Sequence, residues 1–156
     1  MIYGRFFRSR PTIRGLLLFS PLGAPIPVDF VVDTGADVTL IAPTDYATHR
    51  VRYSEIQGID IQSAGYGGRI EAKLAQAALY LRDEAGRYIR ILLEAEFSRP
   101  DPANEGLPSV LGRDVLDLFR LTVDRSVNLV CLDAASGSTD EIRWPDEHDD
   151  QDGAPP

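Results

Sequence analysis

Apolar and β-branched runs no longer than a strand, each closed by Gly, Pro or Asp, limit this chain to a mainly β fold. They fall at 12–19, 26–33, 38–41, 56–64, 69–81, 87–97, 109–111, 121–124 and 127–132. Turn residues lie between them where hairpins require them, at Asp83-Glu84-Ala85-Gly86 and Asp124-Arg125-Ser126. The stretch 98–108 holds three prolines and a glycine, cannot sustain a ladder, and reads as a loop. Two short helices are expected among the strands. Pro43 suits a first helical turn and predicts a turn over 43–49, and Val115, Leu116, Leu118 and Phe119 recur at helical spacing over 112–120. No internal repeat is visible.

With 156 residues, 44% of them hydrophobic, the chain suits a single domain with a real core. Its net charge of -8 is concentrated at one end: from Ala134 onward seven acids face one base, Arg143. That segment is rich in Asp, Gly, Ser and Pro, so the expected division is a folded domain over 1–133 and an acidic disordered tail over 134–156. In the body, fifteen bases are scattered among seventeen acids, which argues against a nucleic-acid partner, because neutralising phosphates takes a clustered basic surface. No run approaches the roughly 20 apolar residues of a membrane helix, and the opening MIYGRFFRSR has no export pattern, so no membrane partner is expected. The one cysteine, Cys131, suits a buried strand thiol in a reducing compartment, and a cytoplasmic setting follows. His49 and His148 lie in no metal-ligand spacing, so neither a metal nor another cofactor is expected.

The stretch most informative about chemistry is VDFVVDTGADVTL over 28–40, a strongly apolar strand that ends in Asp33-Thr34-Gly35-Ala36 and is followed at once by another. A carboxylate there sits at a strand end on a tight turn, beside small residues that let backbone N–H groups approach it, with Thr34 able to lock the turn through its hydroxyl. An aspartate in a turn can serve only its own backbone. It can also activate a water for peptide hydrolysis when a second, protonated carboxyl donates to the carbonyl oxygen, as in the coupled aspartic-protease dyad.

Asp33-Thr34-Gly35-Ala36-Asp37 after Phe30-Val31-Val32 resembles the active-site motif of the retropepsins, the viral-type aspartic proteases and their cellular relatives. SVLGRDVL over 109–116 resembles the family's second signature, an apolar strand followed by Gly112-Arg113 opening a helix beneath the active-site turn. SAGYGGRI over 63–70 resembles a glycine-rich flap tip. The likeness covers about residues 10–133, in the family's order and spacing. It implies an all-β, closed or barrel-like retropepsin fold with one or two short helices and a flap hairpin. It further implies Asp33, Thr34 and Gly35 as catalytic residues, Ala36, Asp37, Tyr66, Gly67 and Gly68 at the substrate, and Arg113 as structural support through an ion pair with Asp37.

One Asp-Thr-Gly supplies one carboxylate, and the mechanism needs two. Without a repeat, that leaves a homodimer with Asp33 on its axis, acting on a peptide or protein substrate and working best below neutral pH. LTVDRSVNLVCL over 121–132 departs from the viral pattern by adding a hairpin, as at the end of a pepsin lobe. Val31, Ile41, Ile61, Ile70 and Val110 are pocket or core residues, which sequence does not separate. The competing reading is a catalytically silent dimerisation or peptide-binding module on the same fold.

Overall fold

The computed structural model describes residues 1–65 and 68–134. Its strands are β1 (Ile2–Tyr3), β2 (Arg5–Phe7), β3 (Arg10–Phe19), β4 (Ile26–Val32), β5 (Leu40–Ile41), β6 (Ile59–Gly65), β7 (Gly68–Arg82), β8 (Tyr88–Ser98), β9 (Val110–Leu111), β10 (Phe119–Asp124) and β11 (Leu129–Ala134). Two helices, α1 (Pro43–Ala47) and α2 (Arg113–Leu116), and two single 3-10 turns complete the described chain. All nine expected strands are present, with ends moved by three residues at most. Two more, β1 and β2, come from the Arg-rich start.

Helix 112–120 is a correction. Only Arg113–Leu116 is helical, because Phe119 already opens β10, whose ladder pairs it with Ala134. Helix 43–49 likewise stops at Ala47.

Eight strands form one sheet in the order β2-β3-β4-β9-β5-β8-β7-β6, and β3 also pairs with β7, which closes six of them into a barrel. β3 manages this because it is long: residues 12–17 face β4, and residues 16–19 face β7. Strand alternation sends one set of side chains inward. On β4, Ile26, Val28 and Phe30 are buried while Pro27, Asp29 and Val31 face outward, more exposed. Ile13, Leu17, Ile41, Leu79, Phe97 and Leu111 join them in the interior, all fully buried. Each such side chain contributes about 1.5–3 kcal/mol of hydrophobic stabilisation. The remaining strands form a second sheet, β1-β11-β10, containing the expected C-terminal hairpin, with Cys131 buried and free on β11.

Two features of this topology position the site. β9 inserts between β4 and β5, which are consecutive in sequence, so residues 33–39 arch over the end of β9. β6 and β7 form a long hairpin whose last pair is Gly65 and Gly68. Gly68 has φ +122, a conformation only glycine adopts freely. Tyr66 and Gly67, like the expected tail from residue 135 on, lie outside the described residues.

Candidate active site

The ladder of β4 continues one step past its end, since the Asp33 N–H donates to the Leu111 carbonyl at 3.1 Å. Alternation therefore puts Asp33 on the same, outward face as Val31. The turn then closes with Ala36 N–H donating to the Asp33 carbonyl at 3.2 Å. The Asp33 carboxylate accepts the Gly35 N–H at 2.9 Å and is otherwise open to solvent. A Cβ at Gly35 would stand 3.2 Å from that carboxylate oxygen, so glycine leaves the room for the bond. The Thr34 hydroxyl, expected to lock the turn, has no hydrogen-bond partner among the described residues. Gly35 N–H and the β9 ladder do that work instead.

What holds the turn lies beneath it. Thr39 is fully buried; its hydroxyl donates to Asp114 Oδ1 at 2.7 Å, and its N–H donates to Asp114 Oδ2 at 3.0 Å. The same hydroxyl accepts the Gly112 N–H at 3.1 Å. The Arg113 and Asp114 N–H groups, at the start of α2, donate to the Ala36 and Asp37 carbonyls at 2.8 and 3.1 Å. Backbone lies against backbone here: a Cβ at Gly112 would come within 2.5 Å of the Val38 carbonyl carbon. The expected Arg113–Asp37 ion pair is present, with both side chains exposed.

Further out, the Ser109 hydroxyl accepts the Ala42 N–H at 2.8 Å and donates to Asp45, which ties β9 to α1. Burial pushes the Asp45 carboxyl up, and the Ser109 hydrogen bond opposes it. Asp29, outward on β4 like Val31, receives a two-pronged bond from Arg14 at 2.7 and 2.8 Å, which holds its carboxyl below the usual carboxylate range.

Around Asp33, the outward face forms a continuous floor. Directly paired residues on neighbouring strands point the same way, and the register runs Val31, Val110, Leu40, Glu96, Leu74, Ile59 across six strands. All but Ile59 are half-buried, and Ile59 is 70% exposed. On the β6–β7 hairpin, Ile61, Ser63 and Ile70 share a face, and the Ser63 hydroxyl donates to the Glu96 carboxylate, so this face bends over the floor. The five residues left open between pocket and core now separate. Ile41 is core; Val31 and Val110 belong to the floor, and Ile61 and Ile70 to the hairpin above it.

The structure thus brings Asp33, Thr34, Gly35, Ala36, Asp37 and Arg113 together in one turn and its brace, and puts Gly68 at the hairpin end. Sequence reading missed Thr39, Asp114, Leu40 and Glu96. The only signal for Thr39 and Asp114 was their position within the two quoted stretches, 28–40 and 109–116. A cavity of about 420 Å³ lies against edge strand β6, contains the Glu71–Arg99 ion pair, and is lined by no residue of the turn.

No protein-family model matches the sequence, and no curated protein matches it. Solved structures do. A retropepsin-like aspartic protease from Rickettsia conorii aligns over 83% of this chain and 95% of its own, with 16% identity and a TM-score of 0.51. The retroviral protease-like domain of Ddi1 from Leishmania major aligns over 85% and 88%, with 16% identity and a TM-score of 0.41. EIAV protease in complex with an inhibitor aligns over 71% and 88%, with 22% identity and a TM-score of 0.40. The mainly β barrel described above is the fold of the retropepsin-like aspartic proteases, on the likeness to the Rickettsia structure.

Proposed function

We propose that this protein is an aspartic endopeptidase that hydrolyses peptide bonds through a water held between two Asp33 carboxylates, one from each subunit of a homodimer. The observation that carries this reading is the setting of Asp33. Its carboxylate is solvent-facing, fixed by Gly35 N–H on a turn braced from below, and stands on an outward face that pairs an apolar floor with an overhanging hairpin. One turn supplies one carboxylate, so a two-fold partner must supply the other. Two carboxylates that close share a proton and titrate as a unit, which favours activity on the acid side of neutrality.

In this reading Asp33 takes or gives the proton, Thr34 and Gly35 shape the turn, and Ala36, Asp37 and the hairpin tip at Tyr66, Gly67 and Gly68 meet an extended peptide. Arg113 braces Asp37. The substrate's backbone can pair with strand edges while its side chains enter the floor. The catalytic domain runs to Ala134, the last residue of β11 and one beyond the expected boundary, with 135–156 an acidic extension, and free Cys131 supports a reducing, cytoplasmic setting.

The test is digestion of an unstructured protein such as casein from acid to neutral pH, with sedimentation recording the oligomeric state. Cleavage should peak below neutrality and fall by about a thousandfold in Asp33→Asn. A folded dimer that cleaves nothing, or cleavage untouched by Asp33→Asn, overturns the proposal, and the former favours the silent peptide-binding module.

A further inference from the structure

We infer that Glu96 selects the substrate, and that the peptide this cleft accepts carries a lysine or arginine side chain among apolar ones. This rests on the peptide reading of the Asp33 site.

In the paired row that makes up the floor, from Val31 to Ile59, Glu96 is the one charged side chain. Glu96 stands in β8 between Leu40 on one side and Leu74 on the other, its paired neighbours across the sheet. Its place relative to the Asp33 turn is fixed by the backbone, since its N–H donates to the Thr39 carbonyl at 3.0 Å, and Thr39 is held by Asp114. A carboxylate has about four acceptor sites, and the hydrogen bond found here is the one from Ser63. None of the ion pairs among the described residues includes Glu96. Glu71, on the neighbouring hairpin, is by contrast paired with Arg99. Glu71 is thus neutralised on the outer side of the hairpin, while Glu96 under it has a hydroxyl partner and no cation.

An apolar peptide laid across this floor removes water from Glu96 and leaves its charge unmatched, which is costly. A basic side chain reaching the same point forms a charge-assisted hydrogen bond where water is excluded. A site built this way rejects an analogue that lacks the charged group, because the protein's own carboxylate is then stranded. The Ser63–Glu96 bond admits a purely mechanical role, holding the hairpin down. A mechanical link works equally well with an uncharged amide at position 96 and acts on every ligand alike.

The experiment separates these. Asp33→Asn protein is titrated with a fluorescent eight-residue apolar peptide in which each position in turn is lysine or norleucine, and anisotropy reads the affinity. At one position lysine should bind roughly tenfold tighter than norleucine. That preference should vanish when Glu96→Gln is added and persist with Ser63→Ala. A scan with glutamate in place of lysine reads the same pocket in the unaltered cleft, so the result does not depend on the folding of Glu96→Gln; glutamate should bind less tightly than norleucine at that position. No position favouring lysine, a preference that survives Glu96→Gln, or one abolished by Ser63→Ala overturns the inference. Digestion of the same peptides by the wild type reads the parent proposal separately. Lysine-selective binding without cleavage removes the peptidase and leaves Glu96 standing; cleavage indifferent to lysine does the reverse.

Discussion

At the Asp33 turn, most of the contacts that fix position are between backbones: Asp33 to Leu111, Arg113 to Ala36, Asp114 to Asp37, and Gly112 pressed on Val38, with the Thr39–Asp114 side-chain bond beneath them. Above Glu71, the described residues of the β6–β7 hairpin make a single hydrogen bond to the rest of the chain, Ser63 to Glu96, and it runs between two side chains. The two walls of one cleft are therefore held by different means. Backbone contacts set a spacing that no rotamer change alters, which suits the catalytic role proposed for Asp33. A single side-chain bond sets a position that a ligand can take over, which suits the wall that has to admit one.

If backbone packing sets the floor, the largest loss should come from Gly112→Ala. Its Cβ meets the Val38 backbone rather than a movable side chain, and about 3 kcal/mol of stability should go, read as a lower urea midpoint. Thr39→Val keeps the shape but removes the hydroxyl that joins Gly112 to Asp114; it should cost about 2 kcal/mol in the same titration, because the buried Gly112 N–H loses its partner and the Asp114 carboxylate one of its donors. Arg113→Gln comes last. Both ends of its ion pair are exposed, so the urea midpoint should stay within error of the wild type. A loss at Arg113→Gln as large as that at Gly112→Ala would mean that the floor leans on the side-chain pair after all, and the contrast with the hairpin would collapse.

Much of this arrangement was legible beforehand. Runs of strand length between Gly, Pro and Asp gave the β elements, and the motifs at 33–37 and 112–114 lie together as their resemblance implied. The failures have local causes. β1 and β2 are two and three residues long and carry Arg5 and an exposed Phe7, so nothing in their pattern distinguishes them from an irregular start. Helix 112–120 was overextended because apolar spacing cannot show that Phe119 finds a ladder partner in Ala134. The Thr39–Asp114 link joins residues 75 positions apart and has no local signature. Glu96 occupies an ordinary alternating position on β8, and its meaning depends on Leu40 and Leu74, which other strands bring beside it.

The double pairing of β3 bears on the order in which the protein can be made. As the chain leaves the ribosome, β3 finds β4 almost at once, across a short connection. Its other edge, Leu16 to Phe19, must wait some sixty residues for Ala77 to Tyr80 to appear. Until then a strongly apolar strand edge stands open, the kind of surface on which nascent chains stick to one another. The brace under Asp33 comes later still, with residues 109–114. Translation therefore delivers the Asp33 turn early and its support late, so the turn and its brace come together only after residue 114 of the described chain has been synthesised.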